Sequence, residues 1–170
     1  MKKLESLLQV NSKENCNRVV NYVGKSTVRF KELMDLMLKG EYRVSQLAAW
    51  PMSYAIENHP ELLAPYYKKI IPLLEDTSYH PAVLRSIIRA LQYVDIPEDY
   101  QGLIMDRCFT FIADPQEKAA VKAFALTVLD NLSKKYPEIR QELQLVIKQR
   151  WDTETPAFRA RAKMILSKKQ

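Results

Sequence analysis

Two histidines, two cysteines and one Gly-Lys-Ser-Thr segment are the parts of this sequence whose chemistry could support catalysis, metal binding or phosphate binding. A histidine base needs a carboxylate that orients it and a reacting group within hydrogen-bond reach. His59 and His80 each precede a proline at a predicted helix start, and no Ser, Cys or Asp stands near either in such a pattern. Two isolated histidines also lack the further ligands that a metal ion requires. We therefore predict turn positions for both, no metal site and no cofactor.

The segment Gly24-Lys25-Ser26-Thr27 imitates the end of a phosphate-binding loop. That loop requires another glycine five residues earlier and a preceding strand. Position 19 is Val19, and no strand is predicted before it. The pattern instead favours a glycine that ends one helix and a serine or threonine that caps the next.

The two cysteines have no metal-like spacing. Cys108 falls on a predicted apolar stripe beside Phe109, which favours a small core residue. Cys16 has no partner motif, and neither cysteine is predicted to be a nucleophile, because activation needs a nearby base or cation in a defined cleft. A disulfide between them stays open, although neither chain size nor cysteine content demands one.

Basic residues recur one helical turn apart, in a chain with a formal net charge of +6. Like charges on one helical face repel slightly, so a compensating group is expected. Acidic neighbours on the next layer are the preferred explanation, and a polyanionic partner is the other. Two tryptophans would anchor a peptide or stack on a base if they were exposed, but core packing is the commoner fate of such residues and is preferred. The predicted binding surface consists of Arg85, Arg89, Lys118, Lys122, Arg159 and Lys163, with Lys68, Lys69, Arg107, Lys148, Trp50 and Trp151.

An internal repeat must position these residues, and its first marker is an aspartate that recurs every 38 residues, at Asp76, Asp114 and Asp152. Counted back from each aspartate, positions −9, −6, −5 and −2 are apolar, except for Arg150. This is the i, i+3, i+4, i+7 stripe of an amphipathic helix. A second marker, Pro-Glu, recurs at residues 60, 97 and 137, where proline and glutamate suit a helix start.

The segments between these helices carry a second stripe in a common register. In each segment its members lie at positions i, i+4 and i+8, which keeps them on one helical face. The three sets are Val44, Val83, Val121 and Phe158, then Ala48, Ile87, Ala125 and Ala162, then Met52, Leu91, Leu129 and Leu166. The small residues would let a neighbouring helix approach closely.

A helix pair about every 38 residues follows from the two stripes. First helices are predicted at 42–58, 81–94, 115–135 and 156–168, and second helices at 60–75, 97–113 and 137–151. We predict a single domain over 1–170, with irregular N-terminal helices in 1–40, repeats at 41–76, 77–114 and 115–152, and a capping helix at 155–169. Gly24 and Gly40 are expected to end the helices at 17–23 and 27–39, and residues 1–10 to add a short helix. Pro51, Pro65 and Pro72 are expected to kink the helices of the first repeat.

Residues 41–168 resemble HEAT-like repeats. The resemblance rests on Asp114-Pro115 through Val121-Lys122-Ala123-Phe124-Ala125 and on Leu63-Ala64-Pro65-Tyr66-Tyr67 through Ile71-Pro72-Leu73-Leu74. It implies an all-α superhelix of the armadillo type, a short solenoid of about four to five helix pairs that bury one another's apolar stripes. Such repeats are reused for many functions, so the resemblance predicts architecture rather than a partner.

For function, the sequence favours a non-enzymatic interaction module that binds a protein or peptide along its repeat surface. The alternative is a nucleic-acid-binding protein related to the HEAT-like alkylpurine DNA glycosylases, which share the repeat type and the basic charge. Their Trp–Asp constellation is not matched, because Tyr54 stands four residues after Trp50. An enzyme whose site assembles only in three dimensions is a third hypothesis. No stretch approaches the about 18 apolar residues of a membrane span, so a cytoplasmic protein is expected, of open oligomeric state.

Overall fold

A computed structural model of the protein describes residues 2–167, which form ten α-helices and two 3₁₀ segments and contain no strand. The all-α class predicted from the sequence is confirmed. Contacts divide the chain into two compact units, residues 1–95 and residues 96–170. The prediction of a single domain over 1–170 stays a prediction, and each unit is described by itself below.

The first unit holds six α-helices and both 3₁₀ segments. Its α-helices are α1 (Lys2–Leu7), α2 (Lys13–Val23), α3 (Thr27–Lys39), α4 (Tyr42–Asn58), α5 (Tyr67–Ile70) and α6 (Pro81–Leu91), and its 3₁₀ segments are Pro60–Tyr66 and Ile71–Leu74. Helix α4 packs against α2, α3 and α6, so it is the central helix of this unit.

The second unit holds the remaining four helices. They are α7 (Glu98–Ala113), α8 (Ala119–Leu132), α9 (Glu138–Arg150) and α10 (Pro156–Leu166). Helix α8 packs against all three of the others and is the central helix here. The predicted capping helix at 155–169 corresponds to α10, and its last residues, 168 and 169, lie outside the described residues.

Prolines explain where the predicted second helix at 60–75 departs from a regular α-helix. The segment is divided into a 3₁₀ segment, a single turn of α-helix and another 3₁₀ segment, with Pro65 and Pro72 inside the two 3₁₀ segments. Each proline lacks the N–H that an α-helix would use and crowds the preceding turn. Pro51, by contrast, lies inside α4, which continues through it as one helix.

Caps predicted from single residues are confirmed at several helix ends. Gly24 ends α2 with a φ of 50°, a left-handed conformation that glycine adopts without strain. Ser26 then caps α3 by accepting a hydrogen bond from the Arg29 N–H at 3.3 Å. Gly40 ends α3, and its N–H donates to the Leu36 carbonyl. The Gly-Lys-Ser-Thr segment is therefore a helix–helix junction rather than a phosphate loop.

The predicted apolar stripes are largely buried. In the stripe counted from the aspartates, Ile70, Cys108, Ile112, Leu143 and Ile147 are fully buried. The exceptions are partly exposed and comprise Met105, Phe109 and Val146. In the other stripe all positions are buried except a partly exposed Val44 and an exposed Leu166. Burial of one face of each helix is what stabilises short helices that would be marginal alone.

Both cysteines, Cys16 and Cys108, are free and buried. Burial raises the pKa of each thiol above its ordinary value, because it disfavours the thiolate. Among residues 2–167, no helix combines the length and the apolar character needed to cross a membrane.

Candidate binding groove beside Trp151

The predicted basic pairs are compensated unequally, and two of their members have acidic partners. Arg89 of α6 forms an ion pair with Glu57 of α4 and donates to the Ser53 carbonyl at 3.1 Å. Lys122 of α8 forms an ion pair of 2.6 Å with Glu154, in the turn before α10. Each acid lies 32 residues away in sequence. For these two cations the expectation of acidic neighbours on the next layer is confirmed.

Lys122 must be removed from the predicted binding surface. Its side chain is only 3% exposed, as is that of Glu154. The i, i+4 spacing from Lys118 indicates a solvated face, but α8 is surrounded by α7, α9 and α10, so most of its circumference is buried. Arg89 must also be removed from the predicted binding surface, because its guanidinium is largely buried and is paired with Glu57.

Glu154 is the centre of a buried charge network in the turn between α9 and α10. Besides Lys122, it accepts two hydrogen bonds from Arg150, at 3.0 Å and 2.8 Å. Burial alone would raise the pKa of Glu154, but the hydrogen bonds and charges of the two cations outweigh it and hold the pKa below its ordinary value. The carboxylate therefore stays ionised and fixes the course of the turn.

A second network holds the other end of α10. Arg140 of α9 pairs with Asp130 of α8 at 2.5 Å and donates to the carbonyl of Ile165 at 2.8 Å. A cation at the C-terminal end of a helix interacts favourably with its dipole. Both ends of α10 are thus tied to α8 and α9 by charge-assisted hydrogen bonds.

Helix α10 begins at a well-defined cap and presents two unlike faces. The Thr155 hydroxyl caps it by accepting from the Phe158 N–H at 3.3 Å, and Pro156 occupies the first turn. Phe158, Ala162 and Ile165 are buried, at the i, i+4, i+7 spacing of one face. The other face, which carries Ala160, Lys163 and Met164, is exposed.

A groove with a volume of about 440 Å³ lies between Trp151, at the end of α9, and the first turns of α10. Its lining consists of Trp151, Pro156, Arg159, Ala160 and Lys163. The groove is an open surface depression rather than an enclosed pocket. Three of these residues, Trp151, Arg159 and Lys163, were predicted binding residues, so the structure brings them together in one place. We refer to this feature as the Trp151 groove.

The Trp151 groove is electropositive. Within the described part of the chain, no carboxylate lies within ion-pair distance of Arg159 or Lys163, which contrasts with the paired Lys122, Arg140 and Arg150 of the same unit. The positive end of the α10 dipole faces this side as well, and its first turn holds no acidic residue. An aromatic wall beside two uncompensated cations suits a ligand that combines negative charge with apolar surface.

The other predicted binding residues do not line this groove. Arg85, Lys118, Lys68, Lys69 and Lys148 are exposed, and Arg107 is partly exposed. Lys148 lies in the last turn of α9, where a cation stabilises the helix dipole, and Lys69 lies 5.6 Å from the centre of the Tyr66 ring. Lys148 and Lys69 thus have roles within their own helices, and whether any of the six residues binds a partner stays a prediction.

Trp50 belongs to an aromatic and basic cluster in the first unit that sequence reasoning missed. Lys13 and Arg89 stand 3.5 Å and 3.8 Å from the centre of the Tyr54 ring, and Trp50 packs edge-on against Tyr54 at 6.3 Å. These contacts join α2, α4 and α6, so no local sequence signal could have shown them. The crevice beside Trp50 has a volume of only about 10 Å³, room for roughly one water molecule, and this cluster therefore acts mainly as packing.

The histidines occupy turns, as predicted. The Nδ1 atom of His80 accepts from the Ala82 N–H at 3.0 Å and so caps α6, while His59 lies between α4 and the following 3₁₀ segment. Burial, aided by Arg43 and Arg85, lowers the pKa of His80. Among residues 2–167 no group of three or more His, Cys, Asp or Glu side chains could hold a metal ion.

Comparison with known proteins agrees with this architecture. A sequence profile described as a HEAT repeat domain matches residues 4–169. No curated protein and no solved structure matches the chain, so the similarity to alkylpurine DNA glycosylases is not shown. HEAT repeats generally mediate interactions with other proteins. Because the profile covers almost the entire sequence, the chain belongs to the HEAT repeat family and is an all-α, HEAT-like repeat protein.

Proposed function

We propose that this protein is a non-enzymatic interaction module that binds a protein or peptide partner, and that the Trp151 groove is its contact site. The observation that carries the proposal is the groove itself, a depression of about 440 Å³ lined by Trp151, Arg159 and Lys163 together with Pro156 and Ala160. Tryptophan and arginine are the residues most enriched among those that dominate binding energy at protein interfaces. Repeat proteins bind partners through surfaces of this kind.

The ion pairs and hydrogen bonds that hold α10 in place support the proposal. Glu154 fixes the turn that joins the two walls, and Arg140 fixes the far end of α10. A preformed site loses less conformational entropy on binding than a flexible one does. The cytoplasmic location predicted from the sequence belongs to the same proposal.

Selection from a library of random linear peptides tests the proposal with the full chain as bait. The peptides enriched on the wild-type chain are then measured against Trp151→Ala by isothermal titration calorimetry. We expect a loss of at least about 2 kcal/mol, or about 30-fold in Kd, because truncation removes the aromatic wall. Trp50→Ala is the matched control and should leave the Kd unchanged. Enrichment of no peptide, or equal binding to the wild-type chain and Trp151→Ala, contradicts the proposal.

A further inference from the structure

We infer that the ligand of the Trp151 groove is an acidic segment of a protein partner, with two carboxylates about one helical turn apart beside an apolar side chain. This inference rests on the proposed function and adds the chemistry of the partner. Its basis is the pair of cations that lines the groove. Arg159 and Lys163, like the exposed Lys118 and Lys148 of the same unit, have no carboxylate within ion-pair distance among the described residues, and they lie together in a groove beside Trp151.

The two cations repel each other, and no carboxylate among the described residues offsets this repulsion. A bound anion would offset it. Arg159 and Lys163 are four residues apart on α10, which places their Cβ atoms about 5–6 Å apart on one face. The positive end of the α10 dipole adds to the same potential. An anion bound between or above the two side chains removes this repulsion and gains charge-assisted hydrogen bonds.

Spacing determines the form of the acidic ligand. Carboxylates at positions i and i+4 of a helical segment have the same separation as the two cations, so each can meet one of them. The guanidinium of Arg159 can hold a carboxylate through two parallel hydrogen bonds, while Lys163 acts as a compact charge. A single carboxylate would bring only one negative charge to the two cations.

The apolar part of the lining favours a protein segment over a nucleic acid. Trp151, Pro156 and Ala160 offer surface to an aliphatic or aromatic side chain, and the exposed Met164, 60% accessible, extends the exposed face of α10. Among the described residues, two cations line the groove, which is few for a polyphosphate chain that depends on many phosphate contacts. An apolar anchor flanked by charges is the usual composition of a peptide that occupies such a groove.

A charge-swap experiment tests the inference with the same random peptide library. One bait carries Arg159→Glu and Lys163→Glu, and the matched control bait carries Lys25→Glu and Arg43→Glu, two exposed cations outside the predicted binding surface. Each double variant lowers the formal net charge from +6 to +2, since every substitution changes it by two. The two baits therefore differ in the location of the change and not in the overall charge. Circular dichroism establishes that each is folded before selection.

We expect the wild-type and control baits to enrich peptides with two acidic residues three or four apart, and the Arg159→Glu, Lys163→Glu bait to enrich basic ones. Replacement of either peptide glutamate by glutamine should weaken binding to the wild-type chain about tenfold, as for a charge-assisted hydrogen bond. This last measurement requires no protein variant, so it holds even if a swapped bait does not fold.

The contradictory outcomes separate this inference from the proposed function. Trp151-dependent peptides without acidic residues would overturn the acidic ligand and leave the interaction module intact. No Trp151-dependent peptide at all would overturn both. Binding of single-stranded or duplex DNA that weakens in Arg159→Glu, Lys163→Glu, together with no acidic enrichment among peptides, would replace the peptide ligand with a nucleic acid.

Discussion

Glu154 gives the sharpest stability prediction, because it is the buried acceptor of two cations. Glu154→Gln keeps the size of the side chain and removes its charge, which leaves the Lys122 ammonium, 3% exposed, without a counter-charge. Removal of one member of a buried ion pair costs about 3–5 kcal/mol. We expect a loss of that size in the free energy of unfolding, measured by urea titration with circular dichroism detection.

The geometry predicts that replacement of Lys122 costs less stability than replacement of Glu154. Lys122→Met leaves Glu154 with its two hydrogen bonds from Arg150, so the expected loss is no more than about 1–2 kcal/mol. The double variant Lys122→Met, Glu154→Gln removes both charges and should recover most of the loss caused by Glu154→Gln alone, because no buried charge is left unpaired. The guanidinium of Arg150, 21% exposed, can then turn toward water.

Two further measurements complete this test. Glu14→Gln, in an exposed i, i+4 pair with Arg18, is the control for the chemical change and should cost less than about 0.5 kcal/mol. Because the folded-state pKa of Glu154 is lowered, its stabilisation is present at neutral pH and is lost as the pH falls through and below the ordinary carboxyl value of about 4.3. Equal losses for Glu154→Gln and Lys122→Met, or a Glu154→Gln loss as small as that of Glu14→Gln, would refute the reasoning.

Three other predictions concern helix ends and helix interiors, each measured by urea unfolding. Gly102→Ala should stabilise the protein by about 0.5–1 kcal/mol, because Gly102 lies inside α7 with open space where a Cβ would be; destabilisation would contradict this. Gly40→Ala should destabilise it by about 1–3 kcal/mol, because the new Cβ would collide with the Leu36 carbonyl and the Val44 side chain, and an unchanged midpoint would refute that reading. The free energy of unfolding should decrease as the pH falls below about 6.5, because His80 gains a proton more readily in the unfolded chain than in the folded one. His80→Asn keeps a cap at the start of α6 and should remove that part of the pH dependence. An identical pH profile for the variant and the wild type would count against this prediction.

The helices could be predicted from the sequence because their apolar stripes repeat in one register. Stripe positions such as Ile87, Ala125 and Leu143 are fully buried. Helix α4 begins and ends at the predicted residues, 42 and 58. Irregularity was harder to predict. Pro65 and Pro72 indicate disruption of a helix, but not its replacement by two 3₁₀ segments separated by a single α-helical turn, since this depends on how the segment packs in the first unit.

The binding groove could be predicted only in part. Trp151, Arg159 and Lys163 lie within one short stretch of sequence, and they were singled out by residue type and, for the two cations, by their i, i+4 spacing. Their convergence depends on the direction of the turn before α10, which Glu154 fixes through Lys122, 32 residues away. The same long-range pair removed Lys122 from the surface, although its spacing from Lys118 is that of a solvated face. Charge patterns along a helix do not show which neighbouring helix covers them.

Hydrogen–deuterium exchange of the full chain, with and without a peptide enriched on the wild-type bait, tests the central claim most directly. The claim is that a partner occupies the space between the end of α9 and the first turns of α10. We expect the amides from Trp151 to Lys163 to exchange more slowly when the peptide is bound, and the amides around Trp50 to be unchanged. Protection that is confined to residues 13–93, or no protection in 151–163 at saturating peptide, would contradict the account.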